Sequence, residues 1–85
     1  DRADRMYMQK TTQQSLEAVP SGSTSTWKNP DSGNSGSITP QRTYQKTEGT
    51  YCREYQQTIS VGGRTEEAYG TACRQPDGTW QVVNN

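Results

Sequence analysis

Two cysteines, three glutamates and a set of arginine and tryptophan residues are the side chains of this 85-residue sequence whose types and spacing could do chemistry. Cys52 and Cys73 can bridge, ligate a soft metal, or lie buried as thiols. The sequence has no CxxC pair and no His, so a zinc site is not expected, and a disulfide or two free thiols remain. Glu54, Glu66 and Glu67 offer the paired carboxylates that glycoside hydrolysis places on either side of one bond. No apolar pocket surrounds them to raise a pKa, so they read as a solvated face. Arg53, Arg74 and Trp80 match the aromatic and basic platforms of single-strand binders, although stacking of Arg on an aromatic ring across strands is the commoner use. The glycine-rich pieces Ser32-Gly33-Asn34-Ser35-Gly36 and Gly62-Gly63 lack the Lys and the strand-to-helix context of a phosphate loop. They are turns. The expectation is no catalytic residue, no metal and no cofactor.

Composition narrows the classes further. Nine basic residues balance nine acidic ones, which leaves no electrostatic footprint for a nucleic-acid partner. Only 26% of the residues are hydrophobic, with one Leu and no Phe, yet disorder would also call for high net charge. Five Tyr and two Trp carry the apolar payload. No stretch approaches the roughly 20 apolar residues of a membrane helix. A chain this short buries a modest fraction of its surface and usually needs a staple, which two Cys can supply.

The elements that must position these residues fall into three parts. Residues 1–19 lack Gly and Pro, begin with Asp1 and Asp4 where a helix start favours negative charge, and space Met8, Thr12, Leu16 and Val19 as one thin apolar stripe. A helix is expected there, with Asp1 able to cap it. Residues 20–40 are rich in Ser, Gly, Thr and Pro, and Asn29-Pro30-Asp31-Ser32-Gly33 has turn chemistry. Short strands from Thr24 to Lys28 and from Ser35 to Thr39 would make a loose hairpin. The alternative is a flexible linker, against which Trp27 argues. From Gln41 onward, extended runs are separated by Glu48-Gly49, Gly62-Gly63 and Pro76-Asp77-Gly78, each a hairpin connection.

The turns fix a register. With Gly62-Gly63 as a two-residue turn, Val61 faces Arg64, and stepping outward brings Cys52 directly opposite Cys73. The alternation makes that a non-hydrogen-bonded pair, where Cα atoms lie about 4.5 Å apart, within disulfide reach. The same register puts Tyr51, Tyr55 and Ile59 on one side with Ala68, Gly70 and Ala72, Tyr55 covering Gly70. With Glu48-Gly49 also read as a two-residue turn, Tyr44 faces Arg53 and Ile38 faces Ile59. With Pro76-Asp77-Gly78 as a three-residue loop, Trp80 faces Arg74 and Val82 faces Ala72. The expected core layer is Tyr44, Tyr51, Tyr55, Ile59, Ala72, Trp80 and Val82, joined by Ala68. Glu54, Gln56, Thr58, Glu67, Tyr69, Thr71 and the Cys pair occupy the opposite, solvated face. The fold class is α+β: an N-terminal helix, residues 1–19, on one face of a four- to five-stranded antiparallel meander, residues 20–85, together one domain with one cross-strand disulfide.

Three blocks also resemble a known family. They are Trp27-Lys28-Asn29-Pro30-Asp31-Ser32-Gly33 with Gly36 and Pro40; Tyr51-Cys52-Arg53-Glu54-Tyr55; and Tyr69-Gly70-Thr71-Ala72-Cys73-Arg74-Gln75-Pro76-Asp77-Gly78-Thr79-Trp80. They are similar to the C-terminal domain of bacterial outer-membrane surface lipoproteins related to the rickettsial 17-kilodalton surface antigen. Ile38 and Tyr55 stand where Val and Phe are expected. The resemblance implies an exported chain at the outer membrane, on its periplasmic or cell-surface side, held by an upstream lipid anchor and Gly-rich segment. A bridging Cys pair and the absence of His point the same way, outside the cytoplasm. The polar start at Asp1-Arg2-Ala3-Asp4 is expected of a fragment cut from a longer protein. The expected role is a non-catalytic structural or interaction domain, meeting an envelope protein or polymer and touching membrane only through that anchor. The alternative is a small-ligand or glycan-binding module using exposed Tyr and Arg.

Overall fold

A computed structural model describes residues 1–83. It contains α1 (Arg2–Ala18), β1 (Ser25–Lys28), β2 (Ser35–Gln45), β3 (Tyr51–Val61), β4 (Arg64–Arg74) and β5 (Trp80–Val83). The five strands form one antiparallel sheet in sequence order, an N-terminal helix lies on one of its faces, and a disulfide joins β3 to β4. Asp1 caps the helix by accepting the Ala3 and Asp4 amides at 2.7 and 3.3 Å. The Thr11-Thr12 pair does not interrupt it. The region 20–40 is a hairpin rather than a linker, because Trp27 is buried on β1 opposite Gly36. A Cβ at Gly36 would strike the Trp27 indole.

The β3–β4 register is the expected one throughout. Val61 faces Arg64, Tyr55 faces Gly70, and Cys52 faces Cys73. Gly62 and Gly63 both have positive φ, 60° and 81°, as a two-residue turn matched to strand twist requires. The β4–β5 register also agrees, with Trp80 opposite Arg74 and Val82 opposite Ala72.

The β2–β3 register differs. Glu48-Gly49 belongs to a three-residue loop, closed by the Lys46 amide donating to the Thr50 carbonyl at 2.8 Å, with Gly49 in the left-handed region. It therefore repeats the loop before β5, where the Gln75 amide donates to Thr79. The extra loop residue moves Tyr44 opposite Cys52 instead of Arg53. A one-residue slip exchanges faces, so Tyr44 stands on the disulfide face, half-buried, and not in the layer under the helix. A bulge between Pro40 and Thr43 shifts the register again, so that Ile38 faces Gln57 rather than Ile59. Two slips restore the face, and Ile38 is buried.

The buried cluster under the helix is small: Leu16, Ile38, Tyr55, Ala72 and Trp80. Two residues expected in it are exposed, Tyr51 at 51% and Val82 at 56%; Ala68 is exposed and Ile59 half-buried. The cause is where the helix lies. It packs along β1 and β2 and touches β5 only near its C-terminal end, so it leaves much of the β3–β4 face uncovered. The opposite face is not uniformly solvated either, since Cys52, Cys73 and Thr71 are buried.

Candidate functional site

The cysteines are joined, with Cα atoms 4.0 Å apart, and no described cysteine is free. The bridge ties β3 to β4 at the open end of their hairpin. It is inaccessible, Cys52 being 0% exposed.

The carboxylates do not converge. Glu54 lies opposite Thr71 and Glu67 opposite Thr58, four residues apart along β3, or about 13 Å at the usual strand rise. Glycosidase pairs stand about 5 to 9.5 Å apart. Glu66, opposite Ile59, points to the other face. Glu54 pairs with exposed Arg42 at 3.4 Å, and Glu67 accepts the Tyr69 hydroxyl at 3.0 Å, which raises the pKa of that phenol.

The arginines and Trp80 are brought together and spent on the helix. Arg53 is buried under its C-terminal end. It donates through one terminal nitrogen to the Ser15 and Leu16 carbonyls at 3.3 and 2.8 Å, through Nε to Thr43 at 2.9 Å, and through the other terminal nitrogen to Ser21 at 3.3 Å. The Ser15 carbonyl also accepts the Val19 amide at 2.9 Å, whereas Leu16 has Pro20, with no N–H, four residues on, and the cation also complements the negative end of the helix dipole. Burial lowers the Arg53 pKa from its usual high value. Arg74 forks onto Glu17 at 2.8 and 3.4 Å, and the Trp80 indole N–H donates to the same carboxylate at 2.9 Å. Those bonds hold the Glu17 pKa below the usual range and raise that of Arg74. Gln13 completes the contact: its side-chain amide donates to the Trp80 carbonyl and its carbonyl accepts the Trp80 amide, both at 2.8 Å. Stacking of these arginines on Trp80 is not what the geometry uses.

A second anchor had no signal in the sequence beyond its residue types. Asp4, in the first helical turn, is 8% exposed and accepts from Asn29 at 2.8 Å, Ser32 at 2.8 Å and Asn34 at 2.7 Å. The Asn34 bond foremost, then those of Ser32 and Asn29, outweigh burial and lower the Asp4 pKa. Asn29 is itself buried and its side-chain oxygen accepts the Asp31 amide, while the Asn34 Oδ1 accepts the Gly62 amide at 3.3 Å. The turn residues 29–34 thus form a cage that joins the helix start, the first hairpin and the Gly62-Gly63 turn. Its only trace in the sequence is an acidic residue at a helix start and an Asn, Ser and Asn in one loop, a pattern most loops share.

Beside the first of these anchors lies a hollow of about 420 Å³ lined by Leu16, Glu17, Thr43, Tyr51, Arg53, Arg74 and Trp80. A larger one, about 600 Å³, opens between the helix and β3 to β5, bounded by Met8, Gln13, Leu16, Tyr55, Gln57 and Val82 among others. It is the space the helix leaves uncovered. Among the described residues no cluster of His, Cys, Asp and Glu could hold a metal ion, and no helix is long and apolar enough to cross a membrane.

An α+β domain with a capped helix, a single meander and one buried bridge is a scaffold whose polar side chains are used to hold itself together. Comparison with known proteins places it: the chain belongs to the family described as 17 kDa outer membrane surface antigen, whose model matches residues 14–81. It is 58% identical over 84 residues to the 17 kDa surface antigen of Rickettsia bellii (strain RML369-C), 56% to that of Rickettsia felis (strain ATCC VR-1525 / URRWXCal2) and 55% to that of Rickettsia prowazekii (strain Madrid E). In each case the match covers 99% of this chain and 53% of the relative. The chain therefore spans about half the length of these relatives. No solved structure matches it.

Proposed function

We propose that this chain is a non-catalytic structural and interaction domain of a cell-envelope surface-antigen lipoprotein, exported to the outer membrane and carried there by a lipid anchor outside these residues. The observation that carries the reading is the buried Cys52–Cys73 bridge in a chain that belongs to a surface-antigen family. A structural disulfide of this kind forms and persists in oxidising compartments. The dispersed carboxylates support a role without catalysis, because no two of them face one bond. The alternative, a glycan or small-ligand site at Tyr51, Arg53, Arg74 and Trp80, is weakened by the same geometry. Arg53, Arg74 and the Trp80 N–H are already bonded within the protein, so a ligand would have to displace those bonds.

The test is fractionation of cells making the full-length protein, with thiol alkylation before and after reduction and protease treatment of intact cells. The expected result is protein in the envelope fraction, released by removal of its lipid, with both cysteines blocked until reduced. Recovery from the cytoplasm with alkylatable cysteines would overturn the reading.

A further inference from the structure

The two lateral edges of the sheet are treated differently. Along β2, beyond the reach of β1, the chain covers its own edge: the Gly22 amide donates to the Pro40 carbonyl at 2.8 Å, and the Thr24 and Thr39 hydroxyls pair at 2.7 Å. Pro40 itself has no N–H to offer. Along β4 the described residues place nothing comparable. The described part of β5 pairs only with Thr71–Arg74, and Arg64–Tyr69 are exposed. Because Val61 and Arg64 close a two-residue turn as a hydrogen-bonded pair, alternation turns the backbone N–H and C=O of Thr65 and Glu67 away from β3 and into solvent. On the helix face this edge carries Arg64, Glu66 and Ala68, and the hollow of about 600 Å³ left by the helix begins further along the sheet, at Gln57 and Ala72.

We propose that the Arg64–Ala68 edge of β4 accepts an extended segment of another polypeptide as an added strand, deepening the reading of the chain as an interaction domain, on which it rests. The strand would continue the lane of β5. Backbone hydrogen bonds to Thr65 and Glu67 supply the attachment, and on the helix side the residue opposite Ala68 is the one nearest the hollow, which Gln57 lines. That residue is apolar, because it stands against Ala68 with Met8, Leu16, Tyr55 and Val82 lining the hollow beyond. On the other face the residue opposite Glu67 is basic, because Glu67 presents an exposed carboxylate there with only the Tyr69 hydroxyl bonded to it. The occupant is therefore an extended strand with a basic residue opposite Glu67 and an apolar one next to it, opposite Ala68. A second copy of this chain fits less well. Antiparallel pairing of β4 with its own copy along Arg64–Gly70 would put Glu67 against Glu67 at the two-fold axis, and like charges directly opposite are unfavourable.

The experiment is a 15N NMR titration of the 85-residue chain with two synthetic peptides, one alternating Lys with Val and one alternating Glu with Val. The expected result is saturable shifts and slowed exchange at the Thr65 and Glu67 amides with the Lys/Val peptide and none with the Glu/Val peptide. Glu67→Lys should weaken the Lys/Val peptide roughly fivefold to tenfold, since one cross-strand charge pair turns from attraction to repulsion. Silence at both amides, or equal response to both peptides, would overturn the proposal. Concentration-dependent changes at these amides without peptide would also overturn it, by making a second copy the occupant. None of these results bears on cellular location, which the fractionation reads separately.

Discussion

The two ends of the helix are fastened to the sheet by opposite chemistries. At the start, neutral donors surround a carboxylate: Asn29, Ser32 and Asn34 on Asp4. At the finish, a buried cation meets neutral carbonyls, Arg53 on Ser15 and Leu16, with Glu17 tied to Arg74 and Trp80 beside it. Asp4 and Arg53 each sit where the helix dipole favours their sign, whereas Glu17, an anion in the last turn, is held by Arg74 and Trp80. The difference teaches how a chain with one Leu and no Phe keeps a helix in place. The apolar contact under the helix is five residues, so position is set by polar groups at the two ends. It also separates the ends by pH. Arg53 stays charged at any ordinary pH, whereas Asp4 can be neutralised by acid.

The largest expected effect is at the second end. Trp80→Ala removes the buried ring that Glu17 holds through the indole N–H, and should cost about 3 to 5 kcal/mol in denaturant unfolding. Replacing both Cys52 and Cys73 by Ala removes a constraint that belongs to neither end. It should cost about 3 kcal/mol by the loop-entropy estimate, which is a large part of what a chain this size has. Arg53→Gln leaves helix carbonyls short of their charged donor, and should cost about 2 to 3 kcal/mol.

Asp4→Asn should have a smaller effect at neutral pH and a distinctive one in acid. The native Asp4 pKa lies below its unfolded value, so its stabilisation is full above about pH 4 and disappears as pH falls through the native value. Thermal unfolding of the wild type should thus lose stability below about pH 4 more steeply than Asp4→Asn does. Glu17, lowered by Arg74 and Trp80, adds a second contribution of the same sign at the other end, so the variant's profile flattens without becoming level. Glu67→Ala, remote from both ends on an exposed strand, should change stability by less than about 0.5 kcal/mol.

What was legible in the sequence follows from how much slack each connection has. Gly62-Gly63 leaves none, so the β3–β4 register and the cysteine pairing follow from the turn alone. Pro76-Asp77-Gly78 announces its left-handed glycine at the end of three residues, and β5 follows from it. Thr47-Glu48-Gly49 has the same loop geometry without the proline, and counting it one residue short sent Tyr44 to the wrong face. The bulge after Pro40 has no separate mark. Face alternation gives the burial of Tyr55, Ala72 and Trp80, but it does not say how far a helix reaches, and Tyr51 and Val82, on the same face, lie beyond its cover. The anchors were hidden for a different reason. Arg53 and Asp4 act through partners 37 or 38 and 25 to 30 residues away, a separation that no local pattern encodes.

The most direct test of two chemically distinct fastenings is residue-resolved amide hydrogen exchange on the wild type, Asp4→Asn and Arg53→Gln at one neutral pH. The account predicts faster exchange confined to residues 5–8 in Asp4→Asn and to residues 13–18 in Arg53→Gln. The β3–β4 amides on either side of the Cys52–Cys73 bridge should stay protected in both. Uniformly faster exchange along the whole helix in either variant, or loss of protection in β3 and β4 together with it, would contradict the claim that the two ends are held independently.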